Sequence, residues 1–193
     1  MSDFGLYFML GRQHIADWQG IDHILFIIAL CLRYQFTDWK KILVLITAFT
    51  IGHSITLALS MQKIIHFSTK LIEFLIPLTI VITAISNVFV KKFIFKHKFP
   101  FIYFLALVFG LIHGLGFSNY LKSLLGLDNN FIVQLLAFNL GLEVGQLLIV
   151  AGFLLISLIL VGLLKIGKRE YILWMSGCIF ALAMEMCLQR WPL

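Results

Sequence analysis

The length of the apolar runs constrains this chain more than any other feature. Six stretches, roughly 19–36, 39–61, 70–90, 100–122, 131–164 and 171–190, are near or above the roughly 20 residues a helix needs to cross a bilayer. Membrane-crossing strands are shorter and alternate in polarity. In lipid every backbone N–H and C=O must be satisfied within the protein, so runs of this length predict helices. The expected fold is all-α: a polytopic membrane helical bundle of about six transmembrane helices, forming a single integral membrane domain over 1–193. Residues 1–18 mix polar and apolar side chains and read as an interfacial lead-in to the first span.

Composition excludes the soluble alternatives. Charged residues make up 12% of the chain and hydrophobic ones 61%, whereas a soluble domain carries about 25% charged residues. The net charge of +6 does not point to nucleic acid. Its basic residues sit in short clusters between apolar runs, as membrane flanks do. Cys31, Cys178 and Cys187 lie in apolar segments without a CxxC pair and read as small buried hydrophobes.

Lys and Arg are divided unequally between the two sides. Ten fall in the 1–2, 3–4 and 5–6 connections: Arg33, Lys40, Lys41, Lys91, Lys92, Lys96, Lys98, Lys165, Lys168 and Arg169. Five fall on the other side: Arg12, Lys63, Lys70, Lys122 and Arg190. Positive charge favours the cytoplasm, so both termini are expected to be extracytoplasmic, in a multi-pass protein of the cytoplasmic membrane.

Every span also carries polar groups that cost free energy at membrane depth unless paired. They are Asp22 and His23, then His53, Glu73, His113, the trio Asn139, Glu143 and Gln146, and Glu185. With the termini outside, His53 and His113 lie roughly 12–14 Å from the outer end of their spans, and Asn139 and Glu143 at similar depth. The inner halves are nearly all Leu, Ile, Val and Phe, with Asn87 the main exception. Asn139, Glu143 and Gln146 step by four and three, so they share one helical face. Neutral imidazole and carboxylate together suit a divalent transition metal such as nickel, zinc, cobalt or copper. The candidate ligands are His23, His53, His113, Asp22, Glu73 and Glu143. Asn139, Gln146, His14, Asp17 and Glu185 are candidates for orienting those ligands or for lining the mouth. The plain alternative is a structural polar network that ties the helices together.

The stretches "GRQHIADWQGIDHILFIIAL", "AFTIGHSITLAL", "LIEFLIPLTIVITAISN", "FGLIHGLGFS" and "FNLGLEVGQL" resemble, in order and over nearly the whole chain, the HupE/UreJ family of bacterial membrane proteins. The resemblance implies a metal permease or metal-supply accessory, chiefly for nickel, associated with hydrogenase or urease. It carries over to Asp22 with His23, to His53, Glu73 and His113, and to Asn139 and Glu143. The chain is longer than the family pattern between His14 and Gly20, which keeps His14 out of the transferred set. It also lacks the tight His-x4-Asp-His signature of the separate nickel/cobalt permeases.

The expected function is therefore transport of a divalent transition metal, nickel first. Two other classes compete. One is an intramembrane zinc-type hydrolase, disfavoured because no HExxH helix motif is present. The other is a non-catalytic factor that hands metal to a metalloenzyme or accessory partner. The lipid bilayer is an expected partner and nucleic acid is not; the sequence leaves the oligomeric state open. His53 is expected to face the bundle interior and to meet His113.

The charge asymmetry makes a direct prediction. A cysteine introduced at Lys96→Cys should resist a membrane-impermeant thiol reagent in intact cells and react after permeabilisation. Labelling from outside would reverse the orientation.

Overall fold

A computed structural model describes residues 3–17, 20–62, 67–89, 101–125 and 131–192. The chain is an all-helical membrane bundle. Its helices are α1 (Asp3–Ala16), α2 (Ile21–Cys31), α3 (Trp39–Met61), α4 (Thr69–Phe89), α5 (Phe101–Leu125), α6 (Phe131–Ser157) and α7 (Lys168–Gln189). There is no strand among the described residues. The basic 91–98 connection and Lys63 lie outside them.

Four helical stretches are long and apolar enough to cross a membrane: Phe36–Met61, Thr69–Phe89, Phe131–Leu163 and Lys168–Gln189. The third spans 33 residues because α6 continues into a π-helical stretch, Leu158–Leu163. Lys165, with φ 55°, then turns the chain toward α7. The expected first span differs most from the sequence reading. Its helix, α2, has 11 residues, which is about 16 Å of rise and roughly half the hydrocarbon thickness. The residues ahead of it, read as a lead-in, form α1, which packs along α6.

Lipid offers helices no hydrophobic drive to associate, so close packing of small residues must hold them together. Three helix pairs dominate the contacts: α3 with α5, α1 with α6, and α4 with α7. In the first, Gly52 lies against the Leu107 carbonyl and Gly110 against the Phe49 carbonyl, so close that a Cβ at either position would overlap the facing backbone. In the second, Gly11 meets the Phe138 carbonyl and Gly141 the Phe8 carbonyl in the same way. Both contacts set side chains that matter below. The first brings the helix of His53 onto that of His113, and the second lays the helix of His14 against that of Asn139.

The end of the bundle away from His53 is tied by polar contacts of its own. The Arg33 guanidinium donates to Asn87 Oδ1 and, at 2.7 Å, to Ser86 Oγ. Asn87 in turn donates to the Ala29 carbonyl at 2.8 Å, and Arg169 donates to the Val88 carbonyl at 2.6 Å. Asn87 thus joins α2 to α4.

Gly52→Ala and Gly110→Ala should each destabilise the protein by about 1–3 kcal/mol, the usual range for overpacking. Gly152 has open space around its Cα, so Gly152→Ala should be neutral or should stabilise by about 0.5–1 kcal/mol. Thermal unfolding in detergent separates the two classes.

Candidate metal centre

Three helices and one turn bring three imidazoles together. His14 ends α1, His23 opens α2, and His53 sits mid-way along α3. The amide of Gly20 donates to the Asp17 carbonyl at 3.0 Å, which closes the turn between α1 and α2 and returns the chain so that His23 faces His14. Their ring centroids are 4.8 Å apart, and those of His14 and His53 are 6.2 Å apart. One ring nitrogen from each of the three lies within 4.8 Å of the others. Nitrogens sharing an ion at 2.0–2.1 Å are at most about 4.2 Å apart, so small side-chain rotations would let all three ligate one ion.

His113 of α5 stands beside His23, with centroids 5.4 Å apart. Its Nδ1 is 2.9 Å from the Phe109 carbonyl. A donor at Nδ1 leaves Nε2 as the bare, lone-pair nitrogen, the arrangement by which an orienting partner prepares a metal-binding histidine. His53 is wholly buried and His113 nearly so. Six buried ring nitrogens make no well-aligned hydrogen bond: His14 Nε2, both nitrogens of His23, both of His53, and His113 Nε2; Asp22 stands beside His23 and Asn139 beside His53. Leaving one buried polar group unsatisfied costs about 1–3 kcal/mol. Such atoms gathered in one place are what a bound ligand would satisfy.

The carboxylates divide into distinct environments. Asp22 is buried, with Oδ1 3.0 Å from His23 Nδ1 and Oδ2 3.2 Å from Arg190 Nη1. A cavity of about 380 Å³ is lined by His14, Asp22, His23, Glu73, His113 and Arg190, among others. Glu73 is exposed at its edge. Glu143 is elsewhere: half-buried, it accepts from Thr47 at 2.6 Å and lines a separate groove between α3 and α6 of about 260 Å³. Gln146 accepts from Thr50 at 2.9 Å. Asn139 is buried against His53 and donates to the Leu135 carbonyl at 2.9 Å. Glu185 is exposed and accepts from Gln189 at 3.1 Å, and Asp17 is exposed beside the turn.

The rings brought together are thus His14, His23 and His53, with His113 next to His23. A signal for His14 exists in the sequence. Asp17 and Gly20 stand at the first and fourth positions of "DWQG", the pattern of a type I turn, and such a turn folds His14 back toward His23. Behind His113 lies an aromatic floor of Phe26, Phe49 and Phe109. Phe26 packs against Phe49 and Phe109 with centroids 5.1 and 5.6 Å apart, and His113 rests on Phe26 at 4.9 Å and on Phe49 at 5.3 Å.

A family model described as HupE / UreJ protein matches residues 1–191. The chain belongs to the HupE/UreJ family. Within this family member the histidine cluster, the apolar helices and the family match together support a membrane role in metal transport or metal supply. No curated protein and no solved structure matches the chain.

Proposed function

We propose that this HupE/UreJ protein is a permease for a divalent transition metal, nickel first, in the cytoplasmic membrane. The observation that carries the reading is the convergence of His14, His23 and His53, which bring buried ring nitrogens without well-aligned hydrogen bonds to one place. His113 and Asp22 complete the candidate ligand set. His113 offers a bare Nε2, and Asp22 offers a carboxylate that also orients His23. Nitrogen donors with one carboxylate suit nickel, zinc, cobalt and copper; the preference for nickel comes from the family. The positive-inside bias supports entry from the extracytoplasmic side.

The reading also needs a route inward. The aromatic floor of Phe26, Phe49 and Phe109 stands in the direct path below His113. A polar strip beside it supports a detour. Thr50 with Gln146 and Thr47 with Glu143 lie three and six residues along α3 from His53, roughly 4.5 and 9 Å of helix rise. An ion leaving His53 toward Asn139 would meet oxygen donors on this side.

The same floor favours a second reading, in which the protein holds metal and passes it to a metalloenzyme or accessory partner without moving it across the membrane. The two differ in one measurement. Protein reconstituted in liposomes should take up nickel in the transport reading. Bound nickel without uptake favours delivery, and absence of bound nickel overturns both.

Single substitutions sharpen the assignment. His53→Ala, His14→Ala and His23→Ala should each weaken nickel binding by more than the roughly 10–100-fold that loss of an orienting partner costs. Glu143→Gln should bind nickel as the unaltered protein does but slow its uptake. Calorimetric titration and liposome flux measure the two effects, and equal binding by His53→Ala would remove it from the ligand set.

A further inference from the structure

We propose that Arg190 is a built-in counter-ion of the cavity, a tethered cation that an entering metal ion must displace from Asp22. The inference rests on the reading of the histidine cluster as a divalent-metal site and assigns a role to a residue outside that cluster.

Arg190 is the first residue beyond α7, and its Nη1 reaches Asp22 Oδ2 at 3.2 Å. It lines the same cavity as His14, His23 and His113. The two partners differ in exposure. The Asp22 side chain is 10% exposed and that of Arg190 is 33% exposed. The guanidinium can therefore swing into solvent at little cost, while the carboxylate stays inside. The backbone cannot follow that swing freely, because the Arg190 amide bonds the Met186 carbonyl at 3.1 Å. Next to it, the Trp191 ring packs edge-on to Phe74 of α4, with centroids 5.1 Å apart. The end of α7 is thus anchored to α4 independently of the ion pair, and only the side chain of Arg190 is free to exchange.

Charge accounting gives the exchange its direction. Among the described residues the cavity holds two carboxylates, Asp22 and Glu73, and one guanidinium. Neutral histidines add no charge when they ligate a metal. With Arg190 withdrawn, the two carboxylates balance a divalent ion. With Arg190 in place, the ion and the guanidinium are like charges competing for one carboxylate, at distances where repulsion is strong. The contact is a single hydrogen bond, without the bidentate fork of a strong structural Arg–carboxylate pair. Displacing Arg190 also frees Asp22 Oδ2 while Oδ1 stays on His23. One carboxylate can then hold His23 and face the incoming ion. When the ion leaves, Arg190 returns and neutralises Asp22. The residue therefore sets how tightly the site holds metal and how readily it releases it.

The test is a nickel(II) titration of the purified full-length protein in detergent, unaltered and as Arg190→Gln, Arg190→Ala and Arg190→Lys. Arg190→Gln and Arg190→Ala should bind nickel on the order of tenfold more tightly, and Arg190→Lys should stay near the unaltered protein. Millimolar guanidinium chloride should weaken nickel binding to Arg190→Ala, because the free ion takes the vacated place on Asp22, and should leave the unaltered protein unaffected. A structural role would produce neither tighter binding nor that competition. Unchanged or weaker nickel binding in folded Arg190→Gln, or no guanidinium competition in Arg190→Ala, overturns the proposal. Failure of both neutral variants to fold also overturns it, by making Arg190 a structural tie. If the unaltered protein binds no nickel, the metal-site reading itself falls, and that control separates its failure from the failure of the Arg190 role.

Discussion

The contact between glycine Cα atoms and facing carbonyls is the constraint on which the rest of this bundle depends. Helices in lipid gain little from burying apolar surface against one another, so the distance between backbones decides how strongly they hold. At Gly52 and Gly110 that distance is already too short for a side chain. The same is true where Gly11 and Gly141 join α1 to α6. These contacts place polar side chains as a by-product. His53 sits one residue from Gly52, and Gly114 lies directly against the His53 carbonyl. His14 lies three residues beyond Gly11, on a helix clamped at that point. The histidine cluster is held by packing that involves none of its ring atoms.

The parts of the fold set by length were legible in the sequence, and the parts set by partner choice were not. The apolar runs of α3, α4, α6 and α7 are long enough that only a helix satisfies their backbones, and they appear at full length. Polar residues at matched depth also pointed toward His23 and His53. Depth does not decide which neighbour a helical face meets. Asn139 and Glu143 are one turn apart on α6 and line the same groove, yet Asn139 also reaches His53 while Glu143 is drawn to Thr47. His14 was read at the mouth because its segment is too polar for a span. A helix need not span a membrane to be buried, and the paired glycines that pull α1 onto α6 lie 130 residues apart in the chain.

The two ends of the bundle are organised differently. The end carrying Arg33, Asn87 and Arg169 is tied by hydrogen bonds that run between its helices and turns. The end carrying the histidines leaves ring nitrogens buried without well-aligned hydrogen bonds. A protein that spent its polar groups only on joining helices would show the first pattern at both ends. The contrast sets helix-joining bonds at one end against a cluster able to hold a ligand at the other, with the aromatic rings of Phe26, Phe49 and Phe109 between them.

The origin of the three rings has a consequence of its own. His14 belongs to α1, His23 to α2 and His53 to α3. Any ion shared by all three is also a cross-link between those helices. Binding the ion and holding the helices together then draw on one free energy, by mass action. Whatever loosens one of them weakens the grip on the ion by the same amount.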